Sequence, residues 1–427
     1  MQNLHIERYQ LIPKESEFES RGEKFRFWAL VLGLSFPGYH IGLNTIITTI
    51  IGSNSIDTML AYIILFGSIL GAIIKTPKSQ WRQYFFIPLL IIVGSIAILC
   101  MSAWLFPSNA RIITRIRTTY IQTVCWGVLV ANLVDNTKLY KRAFKLIGYI
   151  VFWFLVYEPF AVRSTLFIAA DNSWGTSGYL TWGYRMLIAV ILLLYTALES
   201  RRFIDWLFAI FSAIELILVG NRGSIVAIAI FIILYVLFCT NFQKKVKYIT
   251  VITGLCVGVY STLMSDKIIY LENLLLHLGI RSRNLTKFLE ETITDSGRDK
   301  GYEIAIDYIR SGNYFGLGIG GDQILVGNYP HNILLEFMLQ YGNIIGAILF
   351  AVLAISTINN ILSIKNRDYK AIYIAFACLG LVKLWFSSTY WYELWFWGYL
   401  IFLLKTRKKV GDINDEGIHE RITKNDY

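Results

Sequence analysis

Three polar residues at the edges of apolar segments are of the types that phosphate chemistry requires. Arg222 lies in a short connection between two apolar runs, and Arg298 follows the polar segment 295–297. A guanidinium group is planar and binds two oxygens of one phosphate, so arginines suit a site that stabilises a phosphate anion. His331 follows Pro330 and precedes an apolar run. The positive end of a helix favours the neutral imidazole, which could then accept a proton.

Local sequence patterns predict the elements that position these residues. Apolar residues after His331 recur at helical spacing, at Ile333, Leu334, Phe337, Met338 and Tyr341. This spacing predicts an amphipathic helix that begins at or near His331. Asp295 or Ser296 is suited to cap a helix that opens at Arg298. The segment 220–223 separates two apolar runs by only four residues, which predicts a tight hairpin around Arg222.

Each of these residues also has a structural interpretation, which the sequence leaves open. His331 could be a surface or capping histidine, and Arg298 could be a loop arginine in a salt bridge. Arg222 could extend along the bilayer to the headgroups, as long basic side chains do. Arg281 and Arg283 lie near Arg298 and could bind the same anion, but no local pattern distinguishes them.

Charged residues elsewhere extend the set of candidates. Arg111, Arg115 and Arg117 lie close together in one connection, where they could enlarge a basic substrate surface or contact phospholipid headgroups. Glu215 and Lys383 fall inside apolar runs. Charges at membrane depth mark transport paths or pair with one another, so both a structural pair and a transport path remain open.

The composition is that of a membrane protein. Of 427 residues, 55% are hydrophobic and 16% are charged, whereas soluble domains are about 25% charged. The net charge is +11, but the basic residues lie between apolar runs, which argues against nucleic acid as a partner. Five cysteines lie in or beside apolar segments without a CxxC pair, so we interpret them as core residues. The chain has no nucleotide-binding or metalloprotease motif and no outer cluster of carboxylates, which predicts neither a metal nor a cofactor.

The apolar runs predict about twelve transmembrane helices, because a spanning helix needs about 20 mostly apolar residues. The predicted spans are 26–43, 58–75, 85–106, 120–136, 145–162, 180–198, 203–219, 223–240, 248–265, 343–362, 369–388 and 391–405. Lysine and arginine are concentrated in the N-terminal segment, in every second connection and in the tail. By the positive-inside rule, both termini are then cytoplasmic. The connection with Arg117 is an exception, because it places arginines on the outer side.

One outer connection, 266–342, is long and polar, and it contains helix-like runs over 268–278 and 301–310. Four glycines at 316, 318, 320 and 321 then predict a tight turn before His331. Long connections of this kind are usually functional or disordered, and the helical runs favour a compact outer subdomain. We therefore divide the chain into a nine-span bundle at 1–265, an outer catalytic subdomain at 266–342, and a three-span bundle with a cytoplasmic tail at 343–427.

The order and spacing of these motifs resemble the O-antigen polymerase and O-antigen ligase superfamily. His331-Asn332 followed by Gly342 is similar to the histidine motif of that family. Asn221-Arg222-Gly223-Ser224 looks like its first arginine motif, and Ser296-Gly297-Arg298 followed by Tyr302-Glu303 looks like its second. The resemblance covers most of the chain, with distinct motifs only over about 221–342.

The resemblance implies a fold and a reaction. The fold is all-α and polytopic, similar to the GT-C class of membrane glycosyltransferases, in a bacterial inner membrane with the active site facing the periplasm. The reaction moves a glycan from undecaprenyl diphosphate to a sugar hydroxyl without metal or cofactor. His331 is then the general base, Arg222 and Arg298 bind the diphosphate, and Arg281, Arg283, Asn332 and Arg117 are further substrate-binding candidates. The partners are the lipid-linked oligosaccharide, the phospholipid bilayer and, optionally, a protein that regulates chain length.

Three functional classes compete at this stage: an enzyme, which is either a polymerase or a ligase, a transporter of lipid-linked glycan, and a structural or scaffolding membrane protein. In a polymerase the acceptor is the distal sugar of another lipid-linked repeat unit, whereas in a ligase it is a sugar of the lipid A core. The chain is rich in Ile, Lys and Asn, as products of AT-rich surface-polysaccharide genes often are, which favours the polymerase. A transporter of lipid-linked glycan, which is not an enzyme, would place its ionisable residues in the middle of the bilayer.

Overall fold

The structure is a computed structural model that describes residues 13, 15–51, 56–156, 177–219, 221–243, 245–247, 250, 267–277, 298–312 and 314–406. Within these residues the chain is helical and forms no strand. The first helices are α1 (Arg21–Ile51), α2 (Ile56–Lys75), α3 (Trp81–Leu105), α4 (Ala110–Tyr120), α5 (Trp126–Asn132), α6 (Thr137–Leu155), α7 (Ser177–Ser200), α8 (Phe203–Val219) and α9 (Arg222–Cys239). The remaining helices are α10 (Lys267–His277), α11 (Arg298–Arg310), α12 (Gly321–Val326), α13 (Ile333–Tyr341), α14 (Asn343–Ser363), α15 (Arg367–Gly380) and α16 (Leu394–Thr406).

Four described helical segments are long and apolar enough to cross a membrane. They are Lys78–Leu105, Thr181–Ser200, Arg222–Cys239 and Asn343–Ser363, and shorter apolar helices cover Met59–Lys75 and Leu394–Thr406. The structure therefore bears out an all-helical chain with membrane-spanning character, but among its described residues it shows four such spans and not twelve. Of the predicted span 248–265, only residue 250 is among the described residues.

Helix α7 is the centre of the bundle, and α3 is at its edge. In the most apolar part of α7, 83% of the residues are buried, against 22% in the span that contains α3. Helices α6 and α8 pack along α7, and α15 contacts it as well. Aromatic rings from α6, α7, α15 and α16 stack in this core: Phe144, Tyr195, Phe376, Trp395 and Phe402. The outward face of α3 is apolar and exposed, as a surface against lipid tails requires.

Two predicted spans differ from the observed helices. The prediction 120–136 covers a π-helical turn, Ile121–Cys125, that joins α4 to α5 without a break. The prediction of one helix over 369–388 is wrong, because α15 ends at Gly380 and a 3-10 turn, Val382–Trp385, follows it. Lys383 lies in that turn and pairs with Glu393. Of the alternatives that the sequence leaves open for Lys383, the structure shows an ion pair, and its partner is Glu393 rather than Glu215.

The tight connection before Arg222 is observed, but it does not join a closely packed pair of helices. Helix α8 ends at Val219 and α9 begins at Arg222. Helix α8 packs mainly on α7, whereas α9 packs mainly on α15, with few contacts between α8 and α9. Arg222 therefore lies where two helices diverge.

Polar contacts collect at two opposite ends of the bundle. At one end, Lys141 contacts both Glu199 and Asp368, and Arg367 pairs with Glu199. These residues come from connections that the charge pattern assigns to the cytoplasmic side. Helix α9 reaches this end through Tyr235, whose hydroxyl donates to Glu199 at 2.6 Å. Arg222, at the other end of α9, lies with the connections that the sequence assigns to the outer side.

Candidate functional site

The backbone of His331 adopts a conformation that is unusual for a residue other than glycine. Its φ is +52°, in the left-handed region that residues other than glycine rarely adopt. Such conformations cluster at active sites, where the surrounding structure enforces them. The imidazole is half-buried, and the ring of Tyr329 meets it edge-on with centroids 4.6 Å apart. The histidine is thus fixed both by its backbone and by an aromatic neighbour.

The helix after His331 begins where the sequence predicts it. Asn332 is the N-cap of α13, and its side chain accepts hydrogen bonds from the backbone N–H of Leu334 at 3.0 Å and of Leu335 at 3.3 Å. Because this amide oxygen is used to cap the helix, Asn332 has a structural role in addition to the substrate-binding role the resemblance implies. The imidazole of His331 lies immediately before the positive end of α13.

Behind this helix start lies a group of buried polar residues, here called the carboxyl network: Asp322, Glu336, Gln340, Thr389 and Tyr390. The amide of Gln340 donates to Asp322 Oδ1 at 2.8 Å and to Glu336 Oε1 at 3.3 Å. Thr389 donates to Glu336, and the Tyr390 hydroxyl donates to Gln340 Oε1 at 2.7 Å. Both carboxyl groups are almost fully buried. Sequence reasoning missed this network, since its members lie in three separate segments of the chain.

Burial dominates the acid–base properties of the two carboxyl groups. Removal from water disfavours the charged form, and it raises the pKa of Asp322 to about 7. The pKa of Glu336 is raised well above its ordinary value, first by burial and then by the negative charge of Asp322. At neutral pH this pair of carboxyl groups therefore retains at least one proton, close to the start of α13.

Arg222 opens helix α9 at a point where the backbone is tightly packed. Asn221 caps the helix by accepting from the backbone N–H of Ser224 at 2.9 Å. A Cβ atom at Gly223 would overlap the hydroxyl of Tyr184 and lie 2.6 Å from Cβ of Phe386, so only glycine allows this approach. The Arg222 side chain itself is exposed. The packing thus fixes the backbone that carries the arginine and leaves its guanidinium accessible.

A buried ion pair lies beside the Arg222 helix start. Lys383 Nζ is 2.5 Å from Glu393 Oε2, and both side chains are only about one-eighth exposed. The ammonium group also lies 5.1 Å from the centre of the Tyr184 ring, the same tyrosine that contacts Gly223. The sequence singled out Lys383 but not Glu393. The only signal for the acid was a carboxylate between aromatic residues in an otherwise apolar run.

Arg298 is the first described residue of α11, and its side chain lies outside the described residues, as do the predicted caps Asp295 and Ser296. Helix α11 packs against both α12 and α13, so the helix that begins with Arg298 adjoins the helix that follows His331. The Asn343 side chain donates to the Ile309 carbonyl at 2.8 Å and ties α11 to the start of α14. Arg281 and Arg283 lie outside the described residues.

The glycine turn before α12 is hydrogen-bonded to the segment that joins α3 to α4. The backbone N–H of Leu317 donates to the Leu339 carbonyl at 2.8 Å, so the turn lies along the end of α13. Asn109 donates to the carbonyls of Leu317 at 2.7 Å and Ile319 at 3.2 Å. Ser102 accepts from the Ile319 N–H at 2.8 Å. These bonds place the start of α4 on the same end of the molecule as His331.

Helix α4 carries three exposed arginines. Ile113, Ile116 and Tyr120 form its buried face, whereas Arg111, Arg115 and Arg117 are exposed. The helix contacts the 3-10 turn Tyr390–Tyr392. The charge of Arg115 acts on the phenol of Tyr392, as do the charges of Asp322 and Glu336 and the phenol of Tyr329. The structure gives no such link for Arg117.

The structure thus brings several of the expected residues to one end of the bundle. The turn Val382–Trp385 contacts both α9, which starts with Arg222, and α13, which follows His331. Helix α11 joins α13 from another direction. An imidazole with cationic side chains on neighbouring elements can accept a proton while the cations stabilise an anionic leaving group. No group of three His, Cys, Asp or Glu side chains in the described part is arranged to hold a metal ion.

Comparisons with known proteins give no relative. No protein-family model matches the chain, and neither a curated protein nor a solved structure does. The functional interpretation accordingly depends on the residues themselves, on their positions in the fold and on the motif resemblance.

Proposed function

We propose that the chain is a membrane glycosyltransferase of the O-antigen polymerase type. It transfers a glycan from undecaprenyl diphosphate to a sugar hydroxyl at the outer face of the bacterial cytoplasmic membrane. The observation that carries the proposal is the placement of His331 in a strained conformation beside Tyr329, at the junction with the elements that bear Arg222 and Arg298. The proposal includes about twelve spans in a GT-C-like arrangement, with both termini cytoplasmic and the site facing the periplasm.

In the proposed reaction, His331 accepts the proton of the acceptor hydroxyl as its oxygen attacks the anomeric carbon. The bond between that carbon and the diphosphate oxygen breaks, and its electron pair leaves with the undecaprenyl diphosphate. Arg222 and Arg298 stabilise the charge that develops on the diphosphate, as fixed cations do in a site with little water. One direct displacement inverts the anomeric centre. No metal and no nucleotide sugar are needed, because the diphosphate ester is already activated.

Turnover by the purified full-length protein with a lipid-linked oligosaccharide tests this proposal. We expect His331→Ala to lower turnover by about 10²- to 10⁴-fold, as loss of a general base does. Arg298→Ala should lower it by about 10²-fold or more through loss of charge stabilisation. The matched controls are Arg310→Ala, at the exposed far end of the Arg298 helix, and His277→Ala, at the exposed end of α10. Wild-type turnover in both His331→Ala and Arg298→Ala would refute the mechanism.

Polymerase and ligase are separated by the acceptor. A polymerase joins lipid-linked repeat units, so deletion of its gene leaves single repeats attached to the lipid A core. A ligase attaches the glycan to the core, so its deletion removes all attached repeats. The pattern of glycan bands on a gel after gene deletion distinguishes the two, and we expect the pattern with single repeats.

The carboxyl network favours one alternative of a different class, a proton-coupled transporter of lipid-linked glycan. Two buried acids that retain a proton at neutral pH are typical of proton relays in transporters. A transporter would move the lipid-linked glycan across a proteoliposome membrane and leave its diphosphate ester intact. The proposed enzyme instead releases undecaprenyl diphosphate, and this product decides between the two functions.

A further inference from the structure

Helix α4 presents a basic face that has no acidic partner among the residues the structure describes. Each helical residue advances the direction of the side chain by about 100°, so Arg111 and Arg115 point within about 40° of each other, whereas Arg117 points about 160° away from Arg115. Like charges four residues apart repel one another and destabilise a helix. Within the described part of the chain, no acid pairs with Arg111 or Arg115. An anion from outside the chain would remove this repulsion.

This face lies near the His331 region but on a different element from Arg222 and Arg298. Helix α4 contacts the turn Tyr390–Tyr392. Both the charge of Arg115 and the phenol of Tyr329 act on the phenol of Tyr392. Tyr329 is the ring partner of His331. Arg222 belongs instead to the elements that pack around the turn Val382–Trp385, and Arg298 to the start of α11. The elements near His331 thus carry basic residues at separate positions, and α4 is not among the elements assigned to the leaving diphosphate.

The surroundings of α4 suit an anion that carries a lipid chain. The outer end of α3, just before α4, exposes Met101, Trp104 and Leu105, with Trp104 80% exposed. Exposed tryptophan at the end of an apolar helix is typical of the bilayer interface. Arg111 and Arg115 lie about 6 Å apart along the helix axis, close enough to reach both phosphates of one diphosphate. In addition, the Tyr392 hydroxyl is buried without a hydrogen-bond partner among the described residues.

We propose that Arg111 and Arg115 bind the diphosphate headgroup of a second polyprenyl-diphosphate-linked glycan, the acceptor. The acceptor's distal sugar hydroxyl then reaches His331, while the donor's diphosphate leaves on the side of Arg222 and Arg298. Both substrates are lipid-linked, so the site joins two molecules of the same chemical class. This inference rests on the proposed function and specifies where the diphosphate of its lipid-linked acceptor binds.

The test compares two acceptors with one donor, undecaprenyl-diphosphate oligosaccharide, and uses the full-length protein in phosphatidylcholine nanodiscs. One acceptor is the lipid-linked oligosaccharide, and the other is the same oligosaccharide without its lipid diphosphate. We expect the double variant Arg111→Gln/Arg115→Gln to raise KM for the lipid-linked acceptor about tenfold or more, because charge-assisted hydrogen bonds to phosphate are lost. Its kcat, and its transfer to the free oligosaccharide, should stay at the wild-type level. Arg310→Gln is the control for the loss of an exposed arginine on the same end of the molecule.

Three results would overturn the inference. An unchanged KM for the lipid-linked acceptor would show that the face does not bind it, and an equal loss with both acceptors would indicate a general defect. If added phosphatidylglycerol changes wild-type transfer to both acceptors but not that of the double variant, the face binds phospholipid headgroups instead. Failure of the proposed function gives a different result, since the wild-type protein would then release no undecaprenyl diphosphate with either acceptor.

Discussion

At the scale of single residues, the carboxyl network is the strongest electrostatic feature near His331. Asp322 and Glu336 share the amide of Gln340, and the phenols of Tyr341, Tyr390 and Tyr392 lie around them. Arg115 is the cation whose charge reaches this group from α4, through Tyr392. Two buried carboxylates close together cannot both ionise readily, so they share a proton. The network therefore makes the start of α13 sensitive to pH.

The raised pKa of Asp322 predicts how stability changes with pH. Asp322 releases its proton near pH 4 when unfolded but at about pH 7 when folded, so the folded state binds more protons between these values. The free energy of unfolding should thus fall as pH rises from about 4 to 7, by up to about 1.4 kcal/mol per pH unit for one proton. Asp322→Asn should make this slope shallower and leave only the part that comes from Glu336, whereas Asp307→Asn, at an exposed site on α11, should keep the wild-type slope. The midpoint of thermal unfolding from pH 4.5 to 8.5 measures the slope, and equal slopes in wild type and Asp322→Asn would contradict the prediction.

At the scale of elements, the joint between α13 and α14 lets a short helix of the site continue into a membrane helix. Gly342 lies between them with a φ of +93°. A Cβ atom there would overlap the carbonyl oxygen of Tyr314, and one at Gly316 would overlap that of Gln340. Two stretches of backbone therefore touch at this joint, and glycine provides both the conformation and the space.

Gly342→Ala should destabilise the protein more than the same change at a matched glycine. Gly312 has a similar φ of +80°, but a Cβ atom there would meet no other atom within 4 Å, so Gly312→Ala carries only the left-handed penalty, about 1–2 kcal/mol. Gly342→Ala adds the overlap with Tyr314, for a total of about 2–4 kcal/mol. Thermal unfolding of the two variants in detergent measures the difference. Equal losses would mean that the backbone contact at Gly342 relaxes freely.

At the scale of the whole molecule, the bundle has one end rich in ion pairs and another that carries the candidate site. Helix α9 connects them, from Arg222 at the site to Tyr235 beside Glu199, and its 18 residues extend about 27 Å. That length is close to the hydrophobic thickness of a bilayer. We therefore expect the two ends to lie in the two interfaces, and the proposed function assigns the reaction to the outer one.

Labelling with a membrane-impermeant thiol reagent tests this orientation. In a cysteine-free background, Thr118→Cys on α4 and Ser311→Cys after α11 should be labelled in intact spheroplasts, because both positions are exposed at the site end. Lys365→Cys, exposed between α14 and α15, should be labelled only after the membrane is permeabilised. Labelling of Lys365→Cys alone in intact spheroplasts would invert the topology, and equal labelling of all three would contradict the separation of the two ends.

The sequence alone predicted the helical, membrane-spanning character and the helix after His331, because each depends on residues close together in the chain. Apolar runs, capping side chains and basic connections act locally, so their consequences can be derived from spacing. Only the tertiary structure paired Lys383 with Glu393 and ended α15 before them. It alone joined Asp322 to Glu336 and brought Arg115 to Tyr392. Which distant side chains meet is decided by how the helices pack, and that packing depends on the shape of every buried face at once.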